Sequence, residues 1–309
     1  MKSKWTSMSE QEKRTDVSRR SLIIGGAAVA AAGVWDLPSA RAQSGKGHVN
    51  FRVAGTQDPT LIFVHGFACA LDDWDGQVTA LSPSFRCVAL DLPGHGASAK
   101  PETVSIATMG SAVNQVKDRI GARGVVLVGH SMGCRVITEA FLQSRSGVVG
   151  LVFVDGSILG GDPETGINRA KEAVSRAGID ALTQRLFTDM FLEGSDPKLR
   201  ERLVARAQGV DASLREELFV DLVRWDLTKA REVLKHITVP ALVLQSTYIN
   251  ADLKRVPMQA GMTTPWMDAI AGSVAKSEAK IVPGSGHFAM IEGAQTVNGE
   301  IQKFAARLA

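Results

Sequence analysis

From residue 49 onward, short apolar runs alternate with longer stretches in which apolar side chains recur every three or four positions. The short runs, at 49–54, 61–64, 87–90, 125–128, 151–154, 241–244 and 280–282, are read as strands. Several are unbroken Val/Ile/Leu segments without polar alternation, the pattern of strands covered by helices on both faces. Gly and Pro punctuate their ends, as in His65-Gly66, Leu92-Pro93-Gly94-His95-Gly96, Asp155-Gly156 and Pro240. Strands and helical stretches in alternation predict βαβ units around a mostly parallel sheet flanked by helices. The alternation lapses once. Between 158 and 235 no strand pattern occurs, and 169–177, 179–191, 197–208 and 212–225 carry helical spacing. A single crossover needs far fewer residues than that. The expected organisation is an α/β core of 43–157 and 236–309, with a helical cap, 158–235, inserted between two late strands.

Composition alters this picture only at the amino end. With 45% apolar and 22% charged residues in 309, the chain is an ordinary globular one. Its formal charge of +3 comes entirely from residues 1–42, which carry seven Lys/Arg against four Asp/Glu; the remainder holds 28 of each. No basic surface suited to nucleic acid is left. Residues 1–20 are polar and end in Ser18-Arg19-Arg20-Ser21-Leu22, before an apolar Ala/Gly-rich run over 22–35. Pro38 and Ala40-Arg41-Ala42, a small-x-small cleavage pattern, follow. The segment resembles a twin-arginine export signal. Its apolar run is too short for a spanning helix, which needs about 20 residues. That resemblance implies cleavage after Ala42, passage through twin-arginine machinery, a periplasmic or secreted mature protein from Gln43, and no stable membrane anchor. Cys69, Cys87 and Cys134 allow one disulfide at most, too few for a covalent framework.

The chemistry concentrates at glycine-bounded positions. Gly129-His130-Ser131-Met132-Gly133 matches G-x-S-x-G, directly after the run 125–128 and directly before a helical pattern over 134–141. Strand, motif and helix in that order define a nucleophile elbow, a turn so tight that its flanking residues must be small, as Gly129 and Gly133 are. The turn lifts the hydroxyl of Ser131 above the sheet at a helix amino end, which favours a developing anion. Ser131 is therefore the candidate nucleophile, and a serine hydroxyl needs a neighbouring base. Of six histidines only His236 and His287 come late enough in the chain. His236 lies in a helix-to-strand connection. His287 lies in the glycine loop Pro283-Gly284-Ser285-Gly286-His287-Phe288 after the last expected strand, and is the candidate base. The oxyanion of an acyl transfer needs two preset N–H donors. Met132 supplies one, and Phe67, after the strand at 61–64, the other. No Cys/His/Asp cluster has ligand spacing and no phosphate loop or dinucleotide fingerprint occurs, so no metal and no cofactor are expected.

His65-Gly66-Phe67 with Trp74, then Asp91-Leu92-Pro93-Gly94-His95-Gly96-Ala97-Ser98, Gly129-His130-Ser131-Met132-Gly133 and Gly286-His287-Phe288 resemble the α/β-hydrolase superfamily, over about 48–309. Within it they resemble a capped serine hydrolase of the esterase kind. The triad acid usually follows the strand corresponding to 241–244. Here Ser246 stands where a glycine is usual, and Ile249 or Asn250 where an aspartate is expected. Two carboxylates stay open: Asp252, two or three residues late, and Asp155, which closes the preceding strand 24 residues after Ser131. Asp155 is preferred, since its spacing resembles superfamily members whose acid follows that earlier strand. The resemblance implies hydrolysis of a small-molecule carboxylic ester or lactone through an acyl-enzyme on Ser131. The same triad could serve a carbon–carbon bond hydrolase or a cofactor-free perhydrolase, and the irregular acid position admits a low-turnover binding or sensor module. Met190, Phe191, Phe219 and Trp225 are candidate lining from the cap.

Overall fold

The computed structural model describes residues 47–250 and 255–309; the expected signal segment 1–42 and the candidate acid Asp252 lie outside the described residues. The apolar runs form strands β1 (Phe51–Ala54), β2 (Thr60–Val64), β3 (Arg86–Leu90), β4 (Val125–His130), β5 (Val148–Val154) and β6 (Ala241–Gln245). A short antiparallel ribbon of β7 (Thr247–Ile249) and β8 (Arg255–Pro257) follows, and then β9 (Ser277–Ile281). Seven strands make one sheet in the order β1-β3-β2-β4-β5-β6-β9, parallel except for β1. Every residue of β2, β4 and β6 is buried, which is why these strands read as unbroken apolar runs. The edge strand β9 begins at Ser277, three residues before the expected 280, because Ser277, Glu278 and Lys280 leave no apolar pattern at its start. The ribbon went unexpected, its strands being three residues each.

Helices α1 (Asp75–Leu81), α2 (Ile106–Ile120) and α3 (Met132–Gln143) connect the first strands. Between β5 and β6 come the four helices α4 (Pro163–Ala177), α5 (Ile179–Thr188), α6 (Pro197–Gln208) and α7 (Ala212–Trp225), the helical cap. A π-helical turn, Asp226–Ala230, and α8 (Arg231–Leu234) lead back to the sheet. Then α9 (Pro265–Ser273), α10 (Ala289–Glu292) and α11 (Ala294–Ala306) complete the fold. Asp162, Asp196 and Asp211 accept from the backbone N–H of Thr165, Lys198 and Leu214, and so start α4, α6 and α7; Pro163 and Pro197 stand at first helical positions. The Asp-Pro pair explains why α4 begins at 163, six residues ahead of its periodic stretch. Helix α5 stops at Thr188, short of the expected 191, and releases Met190 and Phe191 into a loop.

Strand pairing fixes where chemistry can occur. Val64 lies beside Gly129, His130 beside Val154, and Val154 beside Leu244. The residues that follow β2, β4, β5 and β6 therefore emerge along one carboxyl edge. Strand order reverses between β2 and β4, the switch point at which open α/β sheets bind ligands.

A buried ion pair ties the cap to this edge. Arg135 of α3 donates to both carboxylate oxygens of Asp226, at 2.7 and 2.6 Å, and both side chains are essentially inaccessible. The same guanidinium donates to the carbonyls of Ser131 (3.3 Å) and Ser157 (2.9 Å), and Asp226 also accepts from the Leu159 N–H. Arg135→Met leaves a buried carboxylate without its cation and is expected to lower stability by about 3–5 kcal/mol. Urea unfolding checks this. Arg135→Met/Asp226→Leu should recover most of the loss, and a double variant no better than the single one would refute the pairing argument.

Candidate active site

Ser131 is the cap residue of α3 and holds φ 54° and ψ −116°, strained for any residue with a side chain. The turn is possible because its flanks are bare: a Cβ on Gly129 would strike the carbonyl of Gly133, and one on Gly133 the carbonyl of Val64. The Ser131 N–H donates to the carbonyl of Val154 at 3.0 Å, which binds the turn to the end of β5. Its side chain remains partly exposed.

The loop after β2 closes on the same point. Gly66 packs against the side chain of Ser131; a Cβ there would lie 3.2 Å from the serine Cβ. His65 fixes this loop, donating from Nδ1 to the Gly66 carbonyl at 2.8 Å while Nε2 accepts from the Leu92 N–H at 3.0 Å. Those two bonds require a neutral ring, and burial, with His95 beside it, pushes its pKa well below the usual histidine value. Phe67, next along, is buried with its ring edge-on to Phe219 of α7 at 6.3 Å. Met132, the first residue of α3, is wholly buried. The backbone amides of these two candidate oxyanion donors thus belong to the two segments that flank Ser131.

Asp155 and His287 are in direct contact. The Nδ1–H of His287 donates to Oδ2 of Asp155 at 2.6 Å. The carboxylate is fully buried and receives six donors. Oδ1 takes the Ser246 N–H (2.9 Å), the Thr247 N–H (2.9 Å) and the Gln245 amide (3.1 Å). Oδ2 takes the Thr247 hydroxyl (2.6 Å), Arg255 (3.3 Å) and His287. Burial works to raise the Asp155 pKa, but His287, Arg255 and Thr247 outweigh it and hold the carboxyl well below its usual range. Asp155 sits at φ 44°, a left-handed conformation that aspartate tolerates better than most residues.

His287 is held from three sides. Its N–H donates to the Met190 carbonyl of the cap at 2.8 Å, its carbonyl accepts from Nε2 of His130 at 2.9 Å, and Ser246 anchors the preceding Gly286 carbonyl at 2.8 Å. The rings of His130 and His287 lie 4.7 Å apart. With Nδ1 committed to Asp155, the buried Nε2 carries the lone pair, and among the described residues no group bonds to it. Ser131 follows His130, whose ring lies 4.7 Å from that of His287, and its N–H bonds to Val154, the residue before Asp155, so the candidate nucleophile stands at the same sheet edge as the paired base and acid.

Several features escaped sequence reasoning. Gln245, Ser246, Thr247 and Arg255 form the cradle of Asp155; their only sequence trace was the missing aspartate after β6. Arg255, which sequence reasoning did not single out, is directed to Asp155. Trp225, a candidate lining residue, is buried and donates from Nε1 to Glu139 of α3 at 2.7 Å. Phe191 stacks on Phe288 at 5.3 Å behind the base. Among the described residues, no three His/Cys/Asp/Glu side chains converge as a metal site and no helix is long and apolar enough to cross a membrane.

Known proteins share this arrangement of chain. A Pseudomonas putida protein described as the dihydrolipoyllysine-residue acetyltransferase component of the acetoin cleaving system is 28% identical over 275 residues, 82% of this chain. This chain spans 65% of that relative's length. In fold it is similar to a thermophilic esterase from Thermogutta terrifontis, with a TM-score of 0.70 at 22% identity, covering 84% of this chain and 93% of the other. The enol-lactonase from Burkholderia xenovorans gives a TM-score of 0.66 at 21% identity, covering 84% and 96%. Residues 61–300 match the model of the Alpha/beta hydrolase family, and the chain belongs to that family.

Proposed function

We propose that the protein is a serine hydrolase that cleaves a carboxylic ester or lactone through an acyl-enzyme on Ser131. The observation that carries this reading is the 2.6 Å contact of His287 Nδ1 with a carboxylate held by five further donors, beside a strained serine. Asp155 fixes the tautomer that leaves Nε2 of His287 as a proton acceptor. His287 takes the Ser131 proton as the hydroxyl oxygen attacks the substrate carbonyl, and the oxyanion forms against the amides of Phe67 and Met132. The alkoxide leaves with the proton held by His287. Water then attacks the ester carbon, again losing a proton to His287, and the acid departs as Ser131 is reprotonated. Phe219, against Phe67, supports an apolar wall for the substrate. The binding-module reading rested on the irregular acid position, and the Asp155 contact speaks against it. The twin-arginine-like segment 1–42 supports action in the periplasm.

Treatment with a fluorophosphonate should add one probe mass to a peptide containing Ser131, and p-nitrophenyl acetate, butyrate and octanoate should be hydrolysed. A protein that neither labels at Ser131 nor turns over any of these esters would sink the proposal.

A further inference from the structure

Arg255 reaches the acid of this site from the ribbon outside the main sheet. Its Nη1 donates to the Thr247 hydroxyl at 2.7 Å and to Oδ2 of Asp155 at 3.3 Å, and only 14% of its side chain is exposed. Oδ2 is the same oxygen that accepts the Nδ1–H of His287. One carboxylate oxygen thus faces a permanent cation and a ring that becomes a cation when it accepts a proton. Whatever share of the negative charge the guanidinium takes is lost to the imidazolium. We propose, on the hydrolase reading above, that Arg255 is a positioning residue: it draws on the charge of Asp155 so that His287 stays neutral, and able to accept a proton, in more acidic solution.

The other charged groups around the ring do not replace it. Asp155 comes from the end of β5 and favours the charged ring. His130, at the end of β4, is itself kept neutral by burial, with His287 opposing its charge as well. Arg135 of α3 opposes the charged ring but is matched by its ion pair with Asp226. Glu292 of α10 bonds to Ser195, and burial raises its pKa. Asp189, just after α5, acts on Arg255 rather than on the ring. Burial first, and then the charge of Arg255, hold His287 below its usual pKa against the pull of Asp155. The bond to Thr247 has a separate effect, since it fixes the ribbon and the hydroxyl that donates to Asp155. Charge and geometry can therefore be separated by substitution.

The test compares Arg255→Gln, which keeps a donor without the charge, with Arg255→Lys, which keeps the charge. The pH profile of kcat/KM for a p-nitrophenyl ester should show its acidic limb about one pH unit higher in Arg255→Gln, the size expected for loss of a charge at this range. Arg255→Lys should stay nearer the wild type. If Arg255→Gln does not fold, Arg255→Met gives the same reading. In parallel, the ring resonances of His287 are titrated by NMR in Ser131→Ala and in Ser131→Ala with Arg255→Gln, where turnover plays no part. A matching upward displacement supports the proposal. Unchanged titration and an unchanged limb would overturn it and leave Arg255 as a fastening for the ribbon. Ester turnover that survives Ser131→Ala would instead count against the hydrolase reading, and the His287 titration would still be readable.

Discussion

Ser131→Ala is expected to lower kcat for p-nitrophenyl esters roughly 10⁶-fold, the scale found when a triad serine is removed, while leaving the fold intact. Both halves follow from the geometry. In the proposed mechanism the hydroxyl is the group that attacks, and among the described residues no group occupies Nε2 of His287. Yet the backbone of the turn is held by the Ser131 N–H to Val154 and by the close approach of Gly129 and Gly133, none of which uses the hydroxyl. Alanine inherits the same positive φ, so the midpoint of thermal unfolding should stay within a few degrees. Ser131→Gly should be equally inactive but more stable by about 1 kcal/mol, because glycine carries no penalty at φ 54°. Residual turnover by the alanine variant at more than a few per cent of wild type would remove Ser131 from the mechanism.

Asp155→Asn should reduce kcat about 10⁴-fold, the cost of presenting the base in the wrong tautomer. An amide can keep its oxygen toward the Ser246 and Thr247 N–H groups. Its NH₂ then points at the Thr247 hydroxyl, the Arg255 guanidinium and Nδ1 of His287, all of them donors to Oδ2 in the native site. The histidine is relieved by moving its proton to Nε2, which leaves no lone pair for Ser131. The neighbouring guanidinium also loses its counter-charge, so stability should fall alongside activity. Steady-state kinetics and thermal unfolding on the same preparation separate the two. A variant as active as wild type would mean that the carboxylate serves the cradle and not the base.

The sheet was legible where strands are covered on both faces, because burial on two sides leaves β2, β4 and β6 no polar positions. It faded at the edge strand β9, where no residue is fully buried and Ser277, Glu278 and Lys280 break the apolar run. The turn at Ser131 was legible for a local reason: its glycines are required by atoms a few residues away. The partner of His287 was legible only as a preference, because the groups that hold Asp155 lie far from it in sequence. Its donors come from Ser246, Thr247 and Arg255, 91, 92 and 100 residues further on. Spacing along the chain left two carboxylates in contention with Asp155 preferred, and in the fold Asp155 accepts from the imidazole of His287.

Asp155 stands immediately ahead of the cap, and that restricts how this chain can be recombined with its kin. Gly156 has no room for a Cβ beneath Trp266, Ser157 is gripped by Arg135, and the N–H of Leu159 is bound to Asp226. Only at Gly160 and Gly161 does the chain run free of such contacts before Asp162 opens α4. A foreign cap joined at Gly160-Gly161, with its return joint ahead of Asp226, would leave Asp155 and the Arg135–Asp226 pair in place but would have to replace the Met190 carbonyl that accepts from the His287 N–H. One joined at Gly156 would carry its own errors of register straight into the carboxylate. The exchangeable unit is therefore α4 to α7, and a library of caps built to those joints should be filtered for an acceptor in the place of the Met190 carbonyl, without which the loop of His287 loses one of its anchors.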